Sequence, residues 1–116
     1  MDAVWDAASR CVTVRTTYVE IRAALAAARR DRRLSERARQ AVRRELDGRW
    51  EELSIVELEP DLAAAAASAC ERFSLRAGDG IQLAAALELR DPEVVLATHD
   101  ARLRRAAALA GLAVAP

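Results

Sequence analysis

Apolar positions along this chain follow two periods that alternate with one another. Residues 2–9 space Val4, Trp5 and Ala8 at helical intervals, so the sequence reads as opening inside a helix. CVTVR, Cys11 to Arg15, alternates apolar and polar residues and is β-branched, the pattern of a strand. TTYVEIRAALAAARR is an amphipathic helix opening at Thr16 or Thr17, which DRRL breaks. Ser35 is placed to cap a second helix, SERARQAVRRELDGRW, with Gly48 helping to end it. SIVELE reads as a strand closed by Pro60, and DLAAAAASACERF as a helix capped by Asp61. LRAGDG reads as a loop leading into the helix IQLAAALELR, which Asp91-Pro92 stops. EVVLAT has the continuous apolar run of a buried strand. HDARLRRAAALAG is the last helix, and LAVAP a short closing strand.

Strands alternating with helices, without hairpin turn signals, predict an α/β fold with a mostly parallel sheet and helices on both faces. The 116 residues suit one domain, residues 1–116, with no repeat and no linker. A chain this size buries roughly two thirds of its unfolded surface, enough for a core without disulfides or zinc. Cys11 and Cys70 are far apart and His99 is the sole histidine, which leaves no Cys/His zinc site. The formal charge is zero, so no whole-molecule field draws the chain to nucleic acid or membrane. All 18 basic residues are arginine, nine of them between Arg29 and Arg49. That stretch also holds Asp31, Glu36, Glu45 and Asp47, as a solvated helix face with i,i+4 pairs would; an RNA-facing surface or a groove for a partner segment is the alternative. No apolar run reaches the ~18 residues of a spanning helix, and the acidic N-terminus is unlike a signal peptide, so the expected compartment is cytoplasmic. Aromatic content of 3% leaves few platforms for base stacking.

In parallel sheets, ligands collect beyond the carboxyl ends of the strands. Glu20 lies a few residues past the first strand, Asp100 directly follows EVVLAT, and Asp79 opens a helix expected at the same rim. Each acid also has a structural explanation. Thr17-x-x-Glu20 and Asp79-x-x-Gln82 fit capping boxes, and Asp100 falls in the first turn of a helix, where the dipole favours an anion. If the three converge within ~5 Å, each pair repels by about 3 kcal/mol at an effective dielectric near 20. Such a cluster persists only when protons or a cation neutralise it, and Mg²⁺ or Mn²⁺ is the natural hard cation. The chemistry then implied is phosphodiester hydrolysis. The competing reading is a non-catalytic protein-binding module whose acids are caps.

TTYVEIRAAL, LRAGDGIQLAAAL and ATHDARLRRAA resemble, in order and spacing, the successive acidic motifs of PIN-domain ribonucleases, in particular the VapC-type toxins of toxin–antitoxin pairs. The resemblance covers nearly the whole chain and implies a three-layer α/β/α sandwich. It further implies an acidic cluster of Glu20, Asp79 and Asp100 that binds Mg²⁺ or Mn²⁺ and cleaves RNA, and a cognate antitoxin protein as partner. Arg76, Thr98 and His99 are the candidate substrate contacts beside that cluster. Gln82 stands where many relatives carry histidine, so it is assigned no proton transfer. The family also opens with a central apolar strand ending in Asp and a small hydroxyl residue. MDAVWDAASR instead resembles the tail of the following helix, and Asp2 and Asp6 are poor substitutes for that acid. The first strand is thus expected to be missing, with weak or no nuclease activity and reduced stability as consequences. Tyr18, Trp50 and Phe73 read as core or interface residues, and Val4 with Trp5 as a possible homodimer contact.

Overall fold

A computed structural model describes residues 6–116. The opening helix is described only at its end, Asp6 and Ala7; Asp2 and the proposed dimer contact at Val4 and Trp5 lie outside the described residues. From there the elements are β1 (Val12–Val14), α1 (Thr16–Arg30), α2 (Glu36–Trp50), β2 (Ser54–Val56), α3 (Pro60–Phe73), α4 (Ala77–Glu88), β3 (Val95–Ala97), α5 (Ala101–Leu109) and β4 (Ala113–Ala115). The order and the α/β class are those expected from the sequence.

Both strand pairings are parallel. Val12, Thr13 and Val14 of β1 lie opposite Ser54, Ile55 and Val56 of β2. Val95, Leu96 and Ala97 of β3 lie opposite Ala113, Val114 and Ala115 of β4. Among the described residues these remain two separate two-stranded sheets, where the sequence suggested one. The hydrogen bonds explain where each pair stops. Ser54 N–H donates to the Cys11 carbonyl and Arg15 N–H to that of Val56, so Cys11, Thr13 and Arg15 face β2. Alternation then turns the backbone groups of Val12 and Val14 to the opposite edge. Thr98 N–H donates to the Ala115 carbonyl, and by the same parity Val95 and Ala97 turn away from β4.

The core lies on α3 and α4, the most closely packed pair of elements. Leu62, Ala66 and Ala69 of α3 are buried, as are Gly80 and the run Leu83–Ala86 of α4. Small residues on both helices let the axes approach closely. Leu83 joins Ala69, Leu75, Leu103, Ala106 and Ala107 in one apolar cluster, against which Leu96 and Val114 of the β3–β4 pair pack. The next residues of α4, Ala84 and Ala85, join Val14, Leu62 and Ala66 in a second, under the β1–β2 pair. One alanine-rich helix therefore supports both half-sheets. By contrast α1 and α2 contain no fully buried residue. They are clamped at one end, where Tyr18 and Trp50 meet edge to face at 5.2 Å and the Tyr18 hydroxyl donates to Asp47 at 2.6 Å.

The capping expectations divide. Ser35 caps α2 as predicted, its Oγ accepting from Ala38 N–H at 3.1 Å. Asp61 does not cap α3: Glu59 holds that position, Pro60 supplies the first turn with its fixed φ, and Asp61 follows inside it. Gly48 does not end α2, which continues to Trp50.

Candidate active site

The stretch Arg76-Ala77-Gly78-Asp79-Gly80 is not a loop. α4 starts at Ala77, with extended Arg76 as its N-cap residue and no side-chain cap bond. Asp79 therefore lies in the first turn, where the helix dipole favours a carboxylate, and is not the cap. The two glycines serve different neighbours. A methyl group on Gly80 would overlap Sγ of Cys70 and come within 3.0 Å of the Ala66 carbonyl oxygen, so this glycine lets α4 lie directly on α3. A methyl group on Gly78 would sit 2.5 Å from Oε2 of Glu20, so this one leaves room for the carboxylate of α1.

Glu20 reaches that position because α1 and α4 are tied together one turn earlier. The Thr17–Glu20 capping box does not form: Arg15 precedes α1 in helical conformation and makes no side-chain cap bond. Thr17 instead shares a hydrogen bond with Thr13 of β1 at 2.8 Å and accepts one from Nε2 of Gln82 on α4. Gln82 thus does not close a box with Asp79; it bridges to a residue 65 positions away. Gln82→Ala is expected to cost about 1 kcal/mol, the usual worth of a half-buried hydrogen bond, and to lower Tm by roughly 5 °C in a thermal scan.

Asp100 is the one acid that does cap. As N-cap residue of α5, its Oδ1 accepts from Leu103 N–H at 2.8 Å. Thr98 Oγ1 accepts from Asp100 N–H at 3.1 Å, and Arg104 Nη2 donates to the carbonyls of Thr98 and His99, which fixes the turn carrying Asp100. The His99 side chain is exposed. Partial burial and the nearby charge of Asp100 raise the Asp79 carboxyl above the ordinary range, while Arg76 and Arg102 pull it down. The rim at the mouth of α4 therefore gathers Glu20 against Gly78, and Asp79 within electrostatic reach of Asp100. It does not form a closed cage: among the described residues no three His, Cys, Asp or Glu side chains converge tightly enough to hold an ion by themselves. Thr16 Oγ1, four residues before Glu20 on α1, is buried with no partner among the described residues.

Residues 2–109 match the PIN domain. The chain belongs to the PIN-domain family. Ribonuclease VapC45 of Mycobacterium tuberculosis (strain CDC 1551 / Oshkosh) is 37% identical over 114 residues, covering 98% of this chain and 79% of the relative. Ribonuclease VapC49 of M. tuberculosis (strain ATCC 25618 / H37Rv) gives the same identity and coverage. The resemblance to VapC-type PIN domains is thereby borne out across almost the whole chain.

Against this PIN frame, the acids themselves were readable in the sequence and their supports were not. Gly78 carried no signal of Glu20, because the contact joins α1 to α4. A Gly78→Ala variant should push Glu20 off the rim and weaken Mn²⁺ binding roughly tenfold, with Tm in metal-free buffer changed by less than about 5 °C; titration against thermal unfolding measures both. Arg102 also escaped notice, because only the fold brings it beside Asp79.

Proposed function

We propose that this chain is a divalent-metal-dependent endoribonuclease, the toxin of a toxin–antitoxin pair, with Glu20, Asp79 and Asp100 as its acidic centre. The observation that carries this reading is the placement of Glu20 against Gly78 in the first turn of α4, one residue from Asp79, with the charge of Asp100 within reach of that carboxyl. Carboxylates crowded in this way gain from a cation. The donor chemistry fits Mg²⁺ or Mn²⁺, which take one or two carboxylates and complete their shell with water. Asp79 and Asp100 are the residues that would hold it, with Glu20 as the third donor. Such an ion supplies Lewis-acid activation of water and charge neutralisation at a phosphodiester.

The chain's own residues do the remaining work. Arg76 and Arg102 place positive charge beside Asp79, where an anionic backbone must approach the acids. Arg104 holds the Thr98–Asp100 turn, and Gln82 with Thr17 holds α1 against α4. The PIN-type resemblance adds RNA as substrate and an antitoxin protein as partner, and the names of the relatives, ribonuclease VapC45 and VapC49, agree with the first. No helix among the described residues is long and apolar enough to cross a membrane, in keeping with a cytoplasmic role. The capping alternative draws on Asp100 alone, since neither Glu20 nor Asp79 makes a cap bond.

Incubating a labelled single-stranded RNA with the protein tests the reading. Cleavage should appear with Mn²⁺ or Mg²⁺ and vanish in EDTA. Cleavage that persists in EDTA, or that the Asp79→Asn variant retains in full, contradicts it.

A further inference from the structure

The arginines of this chain fall into two groups. Between Arg29 and Arg49, five of the nine are engaged with carboxylates: Arg29 and Arg39 with Glu36, Arg33 with Asp31, Arg43 with Asp47, and Arg49 with Glu45. Glu36 is so well supplied, by Arg39 and Gln40, that its pKa falls to about 2. Nine arginines meet four carboxylates there, so the pairing on this face is partial.

A second group lies elsewhere. A surface groove between the end of α3 and the outer side of α5 is lined by Arg72, Phe73, Ser74, Arg102 and Arg105. All three guanidiniums belong to exposed residues, and among the described residues none is in an ion pair. Arg72 is held over the Phe73 ring, 4.8 Å from its centroid, and Arg102 donates to the Ser74 carbonyl at 3.5 Å. Both contacts fix the arginines without using up their charge. Arg102 links the groove to the acidic rim, because it stands in the first turn of α5, two residues after the capping Asp100, and also lines the groove. The groove is thus a cationic extension of the candidate active site.

We propose that a single strand of RNA leaves the acidic rim along this groove, its phosphates held by Arg102, Arg105 and Arg72. The proposal rests on the nuclease reading above and names the path its substrate takes. A polyanion fits because three cations line one groove and one of them, Arg102, stands two residues from Asp100. Arginine suits phosphate by its fork of N–H donors, and an arginine backed by an aromatic ring also offers a flat surface to a base. An acidic protein segment would find the same charge, but it has no base to lay on the stacked Arg72 and Phe73.

Fluorescence anisotropy of a labelled RNA of roughly 12 nucleotides, in EDTA so that it stays intact, from about 50 to 300 mM KCl, reads the phosphate contacts as a salt slope of ~0.7 per contact. Arg72→Ala/Arg105→Ala should lower the slope by about 1.4 and weaken binding about 20-fold at roughly 0.1 M salt. The charge-matched control Arg37→Ala/Arg44→Ala, on exposed positions of α2, should change neither. Equal slopes in the two double variants overturn the proposal. So does a groove variant that keeps its RNA affinity but loses binding to an oligo-glutamate peptide, which assigns the groove to a protein. Cleavage of the same RNA by the parent with Mn²⁺ is scored separately, so loss of the nuclease reading and loss of the groove are distinct results.

Discussion

Gly80→Ala is expected to destabilise the protein by roughly 3 kcal/mol and to lower Tm by about 12 °C. The added methyl has no place to go. It meets Sγ of Cys70, which can rotate, and the Ala66 carbonyl oxygen, which cannot. Relief requires α4 to move off α3, and α4 carries Leu83 for one apolar cluster and Ala84 and Ala85 for the other. Both half-sheets would lose their common support. A helix-propensity argument predicts the opposite sign, because alanine is favoured over glycine by about 1 kcal/mol inside a helix. Thermal and urea unfolding of the variant decide between packing and propensity. Gly80→Ala with Cys70→Ala should recover part of the loss, since it removes one of the two overlaps, whereas a variant as stable as the parent would show that the helices can separate at little cost.

Asp79→Asn is expected to reduce RNA cleavage by about a thousandfold, or some 4 kcal/mol of transition-state stabilisation. The same change should leave the metal-free protein at least as stable as the parent at pH 7. The sign follows from the titration of Asp79. Its carboxyl is raised in the folded state by burial and by Asp100, so folding is disfavoured once the pH exceeds that folded value, and this penalty fades as the pH falls through it. Asparagine carries no charge and escapes the penalty. No cap bond is lost in exchange, and the attraction to Arg76 and Arg102 that the carboxylate gives up is smaller than the burial and Asp100 repulsion it escapes. A variant that is inactive because it has unfolded would show a lower Tm; one that has lost its metal ligand would not.

How much of this was legible beforehand depends on the range of the interactions. Order and type of elements follow from local periodicity, and the Ser35 cap from a local hydrogen bond, so both were readable. Strand lengths were overread: CVTVR and EVVLAT pair over three residues each, because a strand ends where its neighbour does. Gly78-Asp79-Gly80 looked like a loop since glycine is normally a helix breaker. Its glycines are instead required by the close approach of Glu20, Ala66 and Cys70, which local sequence does not show. Glu20, Asp79 and Asp100 were expected on one rim from their positions after strands and at a helix mouth; the fold sets Glu20 against Gly78 and brings the charge of Asp100 to bear on Asp79. The two capping boxes read from motifs do not form, because Thr17 and Gln82 satisfy each other across the fold, and Asp100, expected inside the first turn of its helix, is instead the N-cap residue. The groove arginines were invisible for the same reason: Arg72 and Arg105 are separated in sequence and meet only when α3 and α5 pack around Leu75, Leu103 and Ala106.

The central claim is that the carboxylates at the mouth of α4 share a divalent ion. Titrating Mn²⁺ into the protein at pH 7 while following the sharp EPR signal of the free aqueous ion measures this directly. The account predicts saturable loss of that signal in the parent chain, abolished in Asp79→Asn and retained in a Glu45→Gln control on α2. Equal Mn²⁺ binding by the parent and Asp79→Asn would contradict it.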